Sequence, residues 1–291
     1  MTSGLDLIAL GETMLSLVAI TGTLADASTF RATHGGAESN ACVAAVRLGL
    51  RSAWVSRLGD DEAGDRVLEA LQSSGVDVRW VRRDPERSTG LMLRDTSGSV
   101  RYWRAGSAAS VMEPDALDGV PVADARAALV TGITAMIGPG PLRTATAFLD
   151  RAAEGLRAVD PNLRPGLWGS DRALELIGPL IARCDVLLAG ERELGSLLGA
   201  RGETLARRAA ELGPREVVLK RGADGAAALA PDGTWRERRP VPVIDVDPVG
   251  AGDAFNAAYI AARLQGGDVD DGLDAGTSAG AEAARVFGDT A

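Results

Sequence analysis

The sequence predicts an α/β fold, a three-layer α/β/α core around a mostly parallel sheet with a small β-sheet lid inserted into it. Three observations carry that expectation. Short apolar runs that stop at Gly or turn residues recur along the chain, helical patterns separate them, and two early stretches alternate with period two instead. Strands that alternate with helices pair in parallel and are covered on both faces, so they read as near-continuous apolar runs.

The first run, Leu5 to Leu10, ends at Gly11 and reads as a buried strand. Ala53 to Ser56, Ala127 to Thr131, Gly155 to Asp160, Val186 to Ala189 and Glu216 to Lys220 repeat its signature. Asp65 to Ser74 and Leu142 to Ala153 carry helical spacing between them, and a further helix runs from Asp253 to Leu264. Leu15 to His34 and Ser88 to Arg104 break the rhythm with period-two alternation, the second around a hairpin signal at Asp95-Thr96-Ser97-Gly98. These look like antiparallel strands outside the main sheet, so the chain is expected to form a single domain over 1–291 with a lid from about 12–35 and 88–107. No repeat of solenoid length and no low-complexity linker interrupts it.

With 291 residues, 46% of them hydrophobic, the chain can bury a large core. A formal charge of −9 argues against nucleic acid or an anionic membrane as a partner, so any phosphate must be held by local geometry. Met1 to Leu10 lack the basic and apolar regions of a secretory leader, and no apolar run approaches a membrane span, so a cytoplasmic protein is expected. Cys42 and Cys184 form no metal-binding spacing and read as buried fillers. Lys220 is the sole lysine in a chain otherwise rich in arginine, so arginines must be judged by position rather than by type.

The most informative segment runs from Val243 through Gly250-Ala251-Gly252-Asp253 to Phe255. Gly250 and Gly252 allow close approach of an anion, and the first amides of the following helix are unpaired donors at the positive end of its dipole. A carboxylate is poorly suited to hold phosphate, yet it can take a proton from an incoming hydroxyl while those amides meet developing charge. Taken alone, the pattern is better read as a helix capped after a glycine turn.

Asp247-Pro248-Val249-Gly250-Ala251-Gly252-Asp253-Ala254-Phe255 resembles the DTxGAGDxF signature of the ribokinase-like, or PfkB, carbohydrate kinase family, with Pro248 in place of its Thr. Gly35-Gly36-Ala37-Glu38-Ser39-Asn40, continuing to Gly49, resembles that family's upstream signature, and Gly59 to Gly64 its next turn and helix start. The resemblance implies a ribokinase-like fold and ATP-dependent phosphorylation of a sugar hydroxyl. It implies Asp253 as general base with Gly250, Ala251 and Gly252 as the anion site, and Gly35, Gly36 and Asn40 against the sugar. It places Lys220, Gly222 and Gly225 beside ATP, with the turn's backbone weighing more than the lysine, and Ser278 in the small-residue stretch beside adenine. Glu193, where the family's NxxE motif has Gly190 for its Asn, is the candidate to hold Mg²⁺ through water. Surface or packing roles account for Glu193 and Ser278 equally well on the sequence alone.

Tyr102-Trp103-Arg104 with Ser107-Ala108, and Asp160-Pro161-Asn162-Leu163-Arg164 leading to Leu167-Trp168, resemble the 2-keto-3-deoxygluconate kinases of the same family, as does Gly11-Glu12-Thr13-Met14. That likeness puts Tyr102, Arg104 and Arg164 on the substrate, since a sugar acid needs a guanidinium to grip its carboxylate. His34, before Gly35, reads either as a strand-end residue or as one approaching substrate. The competing readings are a kinase for a neutral sugar such as fructose or ribose, and a sugar or nucleotide sensor that does not turn over. A dinucleotide oxidoreductase lacks its GxGxxG after the first strand. A homo-oligomer joined through the lid is expected from the likeness and from the apolar alternation of Leu15 to Ile20.

Overall fold

The structure is a computed structural model that describes residues 4–95, 97–163, 170–242 and 249–285. Its main sheet is built from β1 (Leu7–Leu10), β4 (Ser52–Gly59), β5 (Val81–Asp84), β8 (Ala127–Thr131), β9 (Leu156–Asp160), β10 (Val186–Gly190), β11 (Glu216–Lys220), β12 (Ala226–Leu229) and β13 (Trp235–Arg238). The order across it is β13-β12-β11-β10-β9-β8-β1-β4-β5. Every pair from β11 to β5 is parallel, and only β12 and β13 run antiparallel at one edge. The six strands expected from apolar runs are all present, with ends shifted by a few residues; β5, β12 and β13 were not anticipated. β5 and β13 are short edge strands with charged residues, VRRD and WRER, in place of an apolar run, and β12 is a four-residue run of mostly alanine, AAAL.

Alternate residues of the central strands feed two separate cores. Ile8 and Leu10, Ala53 and Val55, and Ala128 and Val130 face one; Leu7 and Ala9, Trp54, and Ala127 and Leu129 face the other. On the first side pack α4 (Pro139–Arg151), α5 (Ser170–Ile181), α6 (Glu191–Leu198) and α7 (Gly202–Ala210), through residues such as Phe148, Ile177, Leu194 and Leu205. On the second lie α1 (Ala37–Arg47), α2 (Glu62–Ser73), α8 (Ala251–Leu264) and α9 (Val269–Ala283), through Cys42, Leu71, Tyr259 and Leu273. The short α3 (Gly132–Met136) follows β8 directly.

The lid is a four-stranded sheet, β3-β2-β6-β7, of β2 (Met14–Ala19), β3 (Phe30–Gly35), β6 (Leu91–Arg94) and β7 (Val100–Trp103). Both hairpins are antiparallel as expected, but β2 and β6 pair in parallel, Leu15 opposite Leu91. Each hairpin arrives from the core separately, so the strands that meet at the centre run the same way. Asp61 ties the lid's root to α2: it caps that helix by accepting from Gly64 N at 2.7 Å and also receives Thr89 N at 2.7 Å.

Candidate active site

In open parallel sheets, ligands bind beyond the carboxyl ends of the strands. Here those ends deliver Glu12 after β1, Asp160 from β9, Gly190 from β10 and Lys220 from β11 into one cavity of about 430 Å³, roofed by Met92, Arg94, Tyr102 and Arg104 of the lid. Gly35, Gly36, Asn40, Tyr102, Arg104, Glu193, Lys220, Gly250, Gly252 and Asp253, all expected from the sequence, line it together. Arg164, and the Val243 to Pro248 part of the second signature, lie outside the described residues.

Asp253 is the third residue of α8, whose N-cap, Gly250, is held in the left-handed region at φ 81°. Glycine is the residue that adopts this conformation without strain. Asn40, from the first turns of α1, donates its Nδ2 to Asp253 Oδ2 at 2.9 Å. The two signatures, 213 residues apart, thus meet through one hydrogen bond. Gly36 is required for a different reason: a Cβ there would lie 2.5 Å from the carbonyl oxygen of Glu12 and from Thr13 Oγ1. Close backbone packing between the β1–β2 connection and α1 leaves no room for a side chain.

Arg104 forms an ion pair with Glu12, whose other oxygen accepts from Ser107 Oγ at 2.7 Å. Both charged side chains are buried, at 11% and 1% exposure, and Arg104 Nε has no hydrogen-bond partner. Its guanidinium also sits 5.8 Å from the centre of the Tyr102 ring, which orients it across the lid. Glu12 and Arg94 are site residues that the sequence reading did not single out. A charged residue at the end of a buried strand, and an arginine two positions from Met92 on the inward phase of β6, are the signals that mark them.

Lys220 Nζ donates to Asp160 Oδ2 at 2.6 Å and to Asn256 Oδ1 at 3.0 Å, so its first partners are protein groups. Glu193 Oε2 accepts from Leu163 N at 3.2 Å, and a Cβ on Gly190 would come within 3.2 Å of the Glu193 carboxyl, so glycine at 190 gives that carboxylate its space. Glu38 is buried at the start of α1 and its Oε1 accepts from Thr131 N, Thr131 Oγ1 and Thr134 Oγ1 at 3.0, 2.8 and 2.6 Å. Burial nevertheless pushes its carboxyl above the ordinary range. This residue fastens α1 to the end of β8. His34 is buried in β3 and does not line the cavity, in keeping with the strand-end role.

A second cavity, of about 410 Å³, opens on the far side of the α8 start and is lined by Gly222, Gly225, Ala251, Gly252, Thr277 and Gly280 among others. Gly225, at φ 87°, is doubly constrained, since a Cβ would fall 2.2 Å from Arg238 O. Ser278 does not line this cavity; it lies on the exposed face of α9, while its neighbour Thr277 faces in. The helical phase of α9 separates the two, one position apart and about 100° around the axis.

This arrangement suits transfer of an anionic group across a helix start, with a carboxylate on one side and an anion-sized recess on the other. Among known proteins, the chain is 35% identical to the 2-dehydro-3-deoxygluconokinase of Thermoproteus tenax, over 98% of this chain and 90% of that one. It is likewise 35% identical to the 2-dehydro-3-deoxygalactonokinase of Haloferax volcanii, over 98% and 93%. The crystal structure of a PfkB protein from Polaromonas sp. JS666 superposes with a TM-score of 0.89 at 35% identity, covering 98% of both chains. The family model for pfkB family carbohydrate kinases matches residues 5–291, and the chain therefore belongs to that family of enzymes.

Proposed function

We propose that this carbohydrate kinase transfers the γ-phosphoryl group of ATP to the terminal primary hydroxyl of a 2-keto-3-deoxy sugar acid, foremost 2-keto-3-deoxygluconate, giving the 6-phosphate. The observation that carries the substrate class is Arg104, whose guanidinium lines the same cavity as Asp253. A carboxylate is a stronger partner for a guanidinium than a neutral hydroxyl is. The relatives named for keto-deoxy sugar acids support the same class.

In this reading Asp253 takes the hydroxyl proton, Gly250, Ala251 and Gly252 present amides to the transferring group, and Gly35, Gly36 and Asn40 bound the sugar. Tyr102 and Arg164 join Arg104 on the keto acid. ATP occupies the second cavity over the Gly222 to Gly225 turn, with Thr277 in the place expected of Ser278. Glu193, in the lining of the first cavity, is the residue that would hold Mg²⁺ through water, and the ion would supply charge neutralisation to the phosphates.

No helix among the described residues is long and apolar enough to cross a membrane, and a need for ATP supports the reading of a cytoplasmic enzyme. Trp103 is about half exposed and shares one face of the lid with its register partners Leu91 and Leu15, an apolar surface that supports pairing of two copies through their lids. One feature favours a second reading: Glu12 already neutralises Arg104, so a neutral sugar such as fructose or ribose would not leave a buried cation uncompensated. Parallel turnover assays with 2-keto-3-deoxygluconate, its C4 epimer 2-keto-3-deoxygalactonate, fructose and ribose decide between them. A kcat/KM for fructose or ribose above that for both acids overturns the sugar-acid reading.

A further inference from the structure

The start of α8 stands between the two cavities, and the described residues that line both are Lys220 and Gly252. Lys220 is therefore at the passage between nucleotide and sugar. A Cβ added to Gly252 would lie 3.6 Å from its Nζ, which puts the ammonium against the backbone of the helix start. Its place is fixed by a closed triangle of side chains: beside the two bonds from Nζ to Asp160 Oδ2 and Asn256 Oδ1, Asn256 Nδ2 donates to the same Asp160 oxygen at 2.7 Å. Three elements meet there, the ends of β9 and β11 and the second turn of α8. Asn256 lies one turn beyond Asp253, so the helix that carries the carboxylate also positions the cation.

An ammonium has three N–H donors, and the triangle uses two of them. The Asp160 carboxylate, 4% exposed, balances its charge when no phosphate is near. Lys220, the single lysine in a chain otherwise rich in arginine, places a compact point charge here, where a guanidinium would spread its charge over a plane.

We propose that Asp160 and Asn256 are positioning residues that hold the Lys220 ammonium in the passage, where its third N–H meets a non-bridging oxygen of the phosphoryl group in transit. The inference rests on the kinase reading above. In the step, the bond from the γ-phosphorus to the ADP oxygen breaks and a bond to the sugar oxygen forms, while the hydroxyl proton goes to Asp253. Lys220 stays protonated, makes no covalent bond, and offsets charge on the group that moves. Asp160 also accepts from Asn162 N at 2.9 Å, and Asn162, at φ 42°, lines the sugar cavity, so the sugar wall and the ammonium share one anchor.

The test uses the full chain and whichever sugar the parent phosphorylates fastest, so a wrong sugar-acid assignment changes the substrate and leaves the Lys220 ratio readable. Lys220→Ala is expected to lower kcat by about 10²–10³-fold, the scale of losing one donor to a transition-state oxygen, while KM for the sugar stays within about threefold of the parent. Added ethylammonium should restore part of that kcat, which a purely structural lysine would not allow. Asn256→Ala, which keeps every charge, should lower kcat by about tenfold or more through misplacement. A folded Lys220→Ala with parental kcat, or with a loss that no alkylammonium relieves, overturns the proposal. Should that variant fail to fold, Asn256→Ala decides: parental kcat overturns the proposal, and a selective fall in kcat supports it.

Discussion

Asn40 Nδ2 donates to Asp253 Oδ2 at 2.9 Å, joining the helix that follows the lid's first hairpin to the helix that bears the carboxylate. An Asn amide donates to a carboxylate oxygen and so holds the carboxylate in place. Asp253→Asn is accordingly expected to keep ATP binding and lose turnover by about 10²–10⁴-fold. Asn40→Asp would set a like charge against Asp253 and should impair turnover more than Asn40→Ala. Calorimetric ATP binding with single-turnover kinetics on purified variants checks both; near-parental turnover by Asp253→Asn removes it from the mechanism.

Arg104 gives the second prediction. It lines the cavity that holds Asp253, with one terminal nitrogen on Glu12, so a carboxylate in that cavity faces its guanidinium. Arg104→Ala should raise KM for the keto acid by about 10- to 100-fold, in line with a lost hydrogen bond to a charged group, and move KM for ATP little. Arg104→Lys should not restore it, since an ammonium lacks the planar fork. Equal responses of both KM values in steady-state assays would dismiss the carboxylate role.

The two glycine signatures made the helix start and the Gly35 to Asn40 wall of the cavity legible in the sequence, because each demands a residue type that local backbone geometry cannot replace. Gly250 shows this with its left-handed φ, and Gly36 with its contact on the Glu12 carbonyl. What escaped was set by long-range pairing. Nothing near Glu12 in the chain announces that it will meet Arg104, 92 positions away, and the triangle of Asp160, Lys220 and Asn256 joins residues as much as 96 positions apart. Ser278 does not line the second cavity, and helix phase alone is the reason. In a run of Gly, Ala, Ser and Thr no apolar stripe marks the inward face, so choosing between 277 and 278 needed the packing of α9 on α8. The parallel junction of the lid was likewise invisible, since period-two alternation fixes which face is buried and not which way a neighbour runs.

A third prediction concerns pH. Burial holds the His34 imidazole below its ordinary value of 6.5, disfavouring its charged form in the folded protein. Above that value both states are neutral and the residue contributes nothing to the pH dependence. As pH falls through the unfolded value toward the lower folded one, the unfolded chain binds the extra proton, and stability is lost. The melting temperature should therefore drop between pH 7.5 and 5.5, and His34→Gln should flatten that decline in parallel melts. A variant as pH-sensitive as the parent would assign the decline elsewhere.

Burial likewise pushes the Cys42 thiol up to about 12 and raises that of Cys184. Both thiols are buried and unpaired by disulfide, so almost no thiolate exists at neutral pH. Native protein should show negligible reaction with a chromogenic disulfide reagent at pH 8 and release two equivalents once unfolded in guanidinium. Rapid labelling of the folded chain would contradict the burial assigned to them.

The last prediction separates packing from chemistry at Gly36. Its φ is extended, at −170°, so no backbone strain opposes a side chain there. The obstacle is the space taken by the Glu12 carbonyl and Thr13, both on the segment that enters the lid and neither a flexible side-chain end. Gly36→Ala must push α1 away from that segment, at a cost of about 1–3 kcal/mol for overpacking. Because α1 carries Asn40 and the segment carries Glu12, the shift should reach Asp253 and Arg104 together. The variant is expected to melt lower and to lose kcat while KM for the sugar rises. Denaturant titration beside steady-state kinetics reads both effects, and a variant of parental stability would mean that the contact is readily relieved.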